Sequence, residues 1–188
     1  MAMPATHTDW TVDMIDALPD DGQRYEIIDG ELFVTPAPSF PHQYIVGELY
    51  ARLLEYFRGS SVGYPVISPA DVHREDRRRN RVQPDIFVVP VIAGKRPAWP
   101  VDLGDLLLAV EVVSPSNPRY DYQTKRKLYL EGGVPEYWIV NPDPRTIARW
   151  SRVGDPGEIL SQRLVWHPAG MANPFVVELP DFFTQALG

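Results

Sequence analysis

Hydrophobic positions along the chain change their spacing several times, and each change marks an element. Between residues 42 and 57, Ile45, Val46, Leu49, Leu53, Leu54 and Phe57 recur at helical spacing, which predicts a long amphipathic helix lying on a sheet. Residues 25–28 and 31–35 flank Asp29-Gly30, a dipeptide suited to a tight turn, so this stretch predicts a hairpin. Residues 62–67 and 82–89 read as further strands. Residues 106–113 form an apolar run broken only by Glu111, the pattern of a central strand buried on both faces. A second helix is predicted over 120–131, starting after Asn117-Pro118 and ending at Gly132-Gly133. Later strands are predicted at 136–140, 146–150, 163–167 and 175–177, with a short first helix over 11–18 and a closing helix over 179–187.

This order of elements describes an α+β fold with an α/β-type core, expected as a single domain over residues 1–188 with an N-terminal helix and hairpin extension to about residue 41. A hydrophobic share of 44% is enough for one core. The chain has no cysteine, and His7, His42, His73 and His167 are too scattered for a zinc pattern, so any metal would have to be held by oxygen. There is no apolar run long enough to span a bilayer and no signal-peptide pattern at the start, which leads to the expectation of a soluble, cytoplasmic protein without membrane contacts. The net charge of -7 argues against a surface that coats nucleic acid throughout and leaves only local basic patches for phosphate contact.

Glu111 carries the first chemical signal, because an ionised carboxylate inside an apolar strand costs several kcal/mol unless a cation satisfies it. Asp85 follows Pro84 in the strand predicted over 82–89 and can reach the same end of the sheet if the two strands are neighbours. Oxygen-only sites of this kind suit Mg²⁺ or Mn²⁺, and such a site suits phosphodiester hydrolysis. Lys125 is the candidate cation: helical geometry turns it toward the face of Tyr122, Leu128 and Tyr129, whereas Arg126 and Lys127 rotate away. If the connection over 114–119 folds this helix back onto the sheet, the ammonium can approach Glu111 and act on a water or on the transition state.

The segments YEIIDGEL (25–32), PAPSFPHQ (36–43), QPDIFVV (83–89), AVEVVSPSN (109–117) and DYQTKRKLYLEGGVPEYWIVNP (121–142) together resemble the Uma2 family (DUF820), and cover most of the chain. That family is assigned to the PD-(D/E)XK nuclease superfamily, so the resemblance implies a restriction-endonuclease-like mixed β-sheet flanked by helices and a divalent-metal site. In its pattern the PD aspartate falls on Asp85 and the acidic strand residue on Glu111. The lysine slot two residues later holds Val113, and the resemblance moves that role to Lys125. It also implies the backbone carbonyl of Val112 as a metal ligand and Glu26 as an additional carboxylate. The function implied is Mg²⁺- or Mn²⁺-dependent cleavage of DNA, by an enzyme acting as a homodimer because two sites are needed to cut both strands.

Other residues carry alternatives. Arg74, Arg77, Arg78, Arg79 and Arg81, five arginines within eight residues, are candidates for contact with the phosphate backbone, on a stretch (73–81) too charged to be buried. His42 reads as a cap or packing residue that the mechanism does not need, and Tyr120, Tyr122, Tyr129, Tyr137 and Trp138 as core aromatics. Val113 and the acidic net charge keep open a nuclease fold that binds DNA or assembles without catalysis. A paired-carboxylate glycosidase is a third reading, which the adjacent lysine disfavours.

Overall fold

The structure is a computed structural model that describes residues 9–35, 37–74, 78–98, 100–113 and 120–188. The described elements begin with α1 (Val12–Asp16), β1 (Arg24–Ile28), β2 (Glu31–Thr35), α2 (Phe40–Tyr56), β3 (Gly63–Ile67), β4 (Val72–His73), β5 (Arg81–Val82) and β6 (Ile86–Pro90). They continue with β7 (Val101–Asp102), β8 (Leu108–Val112), α3 (Arg126–Glu131), β9 (Tyr137–Asn141), β10 (Thr146–Trp150), β11 (Glu158–Leu160), β12 (Arg163–Trp166), β13 (Phe175–Glu178) and α4 (Leu179–Leu187). The main sheet has six strands in the order β11-β10-β9-β8-β6-β3, with β8 and β9 parallel and its other pairs antiparallel. A second sheet runs β2-β1-β5-β4-β7, and β12 and β13 form a separate hairpin. The fold is therefore α+β, built on mixed sheets flanked by helices, as its pattern predicts.

Alternation along the central strands divides the core in two. Ile86 and Val88 of β6, with Leu108, Val110 and Val112 of β8, face α2, α4 and the β12–β13 hairpin. Phe87, Val89, Ala109 and Val113 face the opposite way, toward α3 and residues of the second sheet. Period-two strands covered on both faces explain the near-continuous apolar runs. Glu111 is the exception, and it points into the second of these layers, where α3 lies.

The Asp29-Gly30 turn closes β1 and β2 with positive φ at both residues, 51° and 82°. Helix α2 starts at Phe40, two residues before the predicted limit, because the Ser39 side chain accepts a hydrogen bond from the His42 N–H and caps the helix. Strands β4, β7 and β11 are two or three residues long, too short to leave a readable alternation.

Two predicted elements are corrected. The strand expected over 82–89 is two strands in different sheets: β5 belongs to the second sheet and β6 to the main one. Between them Pro84 offers no N–H to a ladder, and the chain crosses from sheet to sheet at Gln83, Pro84 and Asp85. The helix expected over 120–131 is α-helical only in α3; Tyr120–Lys125 forms a π-helical turn ahead of it, and Tyr120, Asp121 and Lys125 are all buried there. The connection 114–119 lies outside the described residues.

Two glycines test this packing in opposite directions. Gly47 lies exposed within α2 with no atom within 4 Å of an added Cβ, so Gly47→Ala should stabilise the fold by about 0.5–1 kcal/mol. At Gly63 a Cβ would stand 2.9 Å from both Phe57 Cε1 and Val88 Cγ1. Gly63→Ala should accordingly lower stability by about 1–3 kcal/mol, with both changes read as shifts in urea midpoint.

Candidate active site

The crossing from β5 to β6 sets Asp85 at the seam between the two sheets, and the register that pairs Ile86 with Val110 carries Asp85 opposite Glu111. Three donors hold the buried Asp85 carboxylate. Arg24 Nη1 lies 3.0 Å from Oδ1, while the Val112 N–H (2.9 Å) and His42 Nε2 (3.1 Å) meet Oδ2. Burial works to raise the pKa of this carboxyl, but the hydrogen bond and charge of His42, with the charges of Arg24 and Lys125, outweigh it and hold Asp85 at about 2.

Glu111 is 2% exposed and depends on α3 and the turn before it. Lys125 Nζ stands 2.9 Å and the Tyr129 hydroxyl 2.7 Å from its Oε1, and both donate to it. The same ammonium lies 3.0 Å from Oε2 of Glu26 in β1, whose Oε1 accepts the Gln83 N–H at 2.7 Å. Burial opposes the charge on Lys125, yet Glu111, Glu26, Asp121 and Asp85 together raise its pKa above the ordinary lysine value, so it stays protonated. Glu111 is pushed well up, by burial first and then by Asp85, Asp121 and Glu26, against the pull of Lys125. Asp121, buried in the π turn, is raised to about 6 by burial, with Asp85 and Glu26 adding to the shift and Lys125 and His42 opposing it.

The geometry joins the sequence candidates Asp85, Glu111, Lys125 and Glu26 in one buried cluster, with Val112 supplying its N–H to Asp85. It also brings in residues the sequence reading missed or set aside. His42 is not merely a cap or packing residue, since its ring reaches Asp85, and Tyr129 is a core aromatic that also donates to Glu111. Arg24 could have been found from its place two residues before Glu26 on the same face of β1, and Asp121 from its place four residues before Lys125. Arg126, expected to rotate away from the Lys125 face, has its guanidinium 5.3 Å from the Trp150 ring centroid.

The arginine-rich stretch is the connection of the β4–β5 hairpin. Contrary to the expectation that 73–81 is too charged to be buried, His73, Asn80 and Arg81 are buried. Arg81 pairs with Asp16 and Asp71, which offset the cost of burying it. Arg79 pairs with Asp9 and donates to the Asp29 carbonyl. Arg78 is exposed, Arg74 half-buried, and Arg77 lies outside the described residues.

Among the described residues, no three histidine or acidic side chains stand ready as a metal cage. Lys125 occupies the space between Glu26 and Glu111. The donor chemistry nevertheless fits a hard divalent cation, because among the described residues Glu26, Asp85, Glu111 and Asp121 gather around the two fixed cations Arg24 and Lys125, with His42 beside them. The raised Glu111 and Asp121 carboxyls mark negative charge that a further cation would relieve.

Over residues 12–173 the sequence matches the family Uma2, described as "Putative restriction endonuclease". No curated protein matches the chain. Among solved structures, a "putative nuclease belonging to DUF820" from Anabaena variabilis ATCC 29413 superposes with a TM-score of 0.74 at 18% identity, covering 94% of this chain and 99% of that one.

Two stability measurements follow from the cluster. Lys125→Ala leaves Glu26 and Glu111 facing each other in the interior and should lower unfolding free energy by about 3–5 kcal/mol in denaturant titration. Asp121 has a folded pKa of about 6 against an ordinary 3.8, so its contribution is fully present below pH 3.8 and is lost as pH rises through 6. Asp121→Asn should therefore be more stable than wild type by roughly 2–3 kcal/mol at pH 8 without added metal, with the advantage gone at pH 3.8 and below.

Proposed function

The chain belongs to the Uma2 family, and from that premise we propose that it is a divalent-metal-dependent endonuclease hydrolysing phosphodiester bonds of DNA. The observation that carries the proposal is the buried cluster in which Lys125 joins Glu111 to Glu26 beside the clamped, ionised Asp85. Structural ion pairs seldom need four carboxylates at one seam, whereas phosphoryl transfer needs negative ligands for a cation and a fixed positive donor near the phosphate.

In this reading Asp85, Glu111, the Val112 carbonyl and Glu26 hold Mg²⁺ or Mn²⁺. When bound, such an ion supplies Lewis-acid polarisation of the phosphate and a lowered pKa for water. Asp85 serves as a permanently ionised ligand, oriented by Arg24, His42 and the Val112 N–H. Lys125 stays protonated and directs its N–H groups at the attacking water or at the phosphate oxygen gaining charge. Water attacks phosphorus in line, the P–O3′ bond breaks, and a proton passes to the leaving 3′ oxygen, giving a 5′-phosphate. Lys125 does from the helix what a lysine at position 113 would do from the strand. Arg74, Arg77, Arg78 and Arg79 are proposed to touch the DNA backbone, while Arg81 reaches phosphate only by giving up Asp16 and Asp71. Among the described residues no helix is long and apolar enough to cross a membrane, and we place the protein in the cytoplasm as a homodimer whose two sites cut both strands.

A second reading, a nuclease-fold module that binds DNA or assembles without catalysis, is favoured by Val113 and by the engagement of Lys125 with two carboxylates.

Supercoiled plasmid incubated with the purified protein distinguishes the two. Nicking and linearisation are expected with Mg²⁺ or Mn²⁺ and not with EDTA, and Glu111→Gln, folded by circular dichroism, should cut at least about 100-fold more slowly. DNA binding indifferent to Mg²⁺, with no cutting by wild type, would establish the non-catalytic module instead.

A further inference from the structure

The first turn of α2 carries more than the site uses. Its His42 ring points inward to Asp85, while Phe40 and Tyr44 stand on the outer side of the same turn, 78% and 58% exposed. They are the exposed aromatic side chains among the described residues. Four residues apart on a helix, their rings lie close to parallel, with centroids 6.3 Å apart and planes 23° apart. Leaving two aromatic rings in water forgoes the burial that normally justifies them, and a helix start beside a buried polar cluster is an unusual place to do so.

We propose that Phe40 and Tyr44 form a stacking platform for an unpaired base of the DNA strand whose backbone enters the site at Asp85 and Glu111. This rests on the nuclease reading and narrows its substrate to single-stranded or locally unpaired DNA. Three observations favour a base as the occupant. The platform is fixed to the site: His42, two residues from each ring, touches Asp85, so the aromatics stand across about one helix diameter, roughly 10–12 Å, from the ring that meets that carboxylate. The segment that carries the rings brings no basic charge of its own, since residues 37–51 contain no lysine or arginine, so what Phe40 and Tyr44 add comes from ring faces rather than phosphate pairing. Stacking also needs an open base face, which a continuous duplex buries in its own stack and an unpaired nucleotide presents.

The platform has an energetic signature. Phosphate contacts weaken steeply with salt, whereas ring stacking does not. In a protein of net charge -7 the contribution of Phe40 and Tyr44 should therefore form a salt-independent part of the affinity.

The test is binding in EDTA, where turnover is not required, using a 12-nucleotide oligodeoxythymidine carrying one 2-aminopurine. Wild type should quench the 2-aminopurine, and the double variant Phe40→Leu/Tyr44→Leu should abolish the quench and weaken binding about ten-fold or more. Leucine keeps the apolar bulk and both sites are exposed, so folding is expected to survive and is checked by thermal melting. The ratio of wild-type to variant affinity should be the same at 50 and 200 mM NaCl, and Tyr44→Phe should behave as wild type. Equal binding by the variant, or an equal loss on a blunt, fully paired duplex, would overturn the proposal. So would dissociation of a dimer by the substitutions, seen in light scattering, with DNA affinity unchanged, since the patch would then be a contact between copies. Quenching and binding without any plasmid cleavage would support the platform while removing the nuclease reading on which the substrate assignment depends.

Discussion

The Lys125 ammonium is the point at which the separate layers of this protein are joined. It reaches Glu26 on the second sheet and Glu111 on the main sheet from a turn that belongs to neither. Each of these charges would be expensive alone in the interior, and each is tolerable only because the other two are present. The arrangement makes the relative positions of β1, β8 and the helical segment mutually dependent, so local geometry at the seam cannot relax piecemeal. Tyr129 donates to the same Glu111 oxygen as the ammonium, and the Gln83 N–H satisfies the Glu26 oxygen that the ammonium does not reach.

Around that centre the protein uses backbone irregularity to aim side chains. Pro84 ends one ladder before the next begins, and the residue after it, Asp85, lands between the sheets. The π-helical turn brings Tyr120, Asp121 and Lys125 inward together and sets Tyr120 against Phe33, with ring centroids 4.2 Å apart and planes tilted by 31°. Regular strand and regular helix in the same places would give better local hydrogen bonding and a poorer cluster. Departures from regular structure near a group of perturbed carboxylates are what a site shaped for chemistry would show, and they support the function proposed for this one.

Electrostatically the cluster is unbalanced in one direction. Asp85 is driven to the ionised form and Lys125 kept protonated, while Glu111 and Asp121 resist ionisation. A purely structural network would gain by trimming the surplus carboxylates, because every unpaired buried charge costs stability. Keeping them is intelligible if a cation joins the cluster in the working state. The chain belongs to the Uma2 family, described as "Putative restriction endonuclease", and its 0.74 superposition on the DUF820 structure shows the shared fold on which the cluster is built.

Much of this was legible from the residues. The α2 periodicity, the Asp29-Gly30 turn and the buried strand around Glu111 follow from local spacing and turn chemistry, which act over a few residues and are therefore written in the sequence. A carboxylate inside an apolar run announced that it needed a cation, and helical geometry singled out Lys125 over Arg126 and Lys127. Tertiary structure decided what local rules cannot reach. It put β5 and β6 in different sheets, turned His42 from a helix start to Asp85, and carried Arg24 across 61 positions to the same carboxylate. It also gave Arg81 to Asp16 and Asp71, where a run of arginines suggested open surface. The physical reason is the same in each case: a buried charge is satisfied by whatever the fold sets beside it, and that neighbour is chosen by packing and sheet order rather than by distance along the chain.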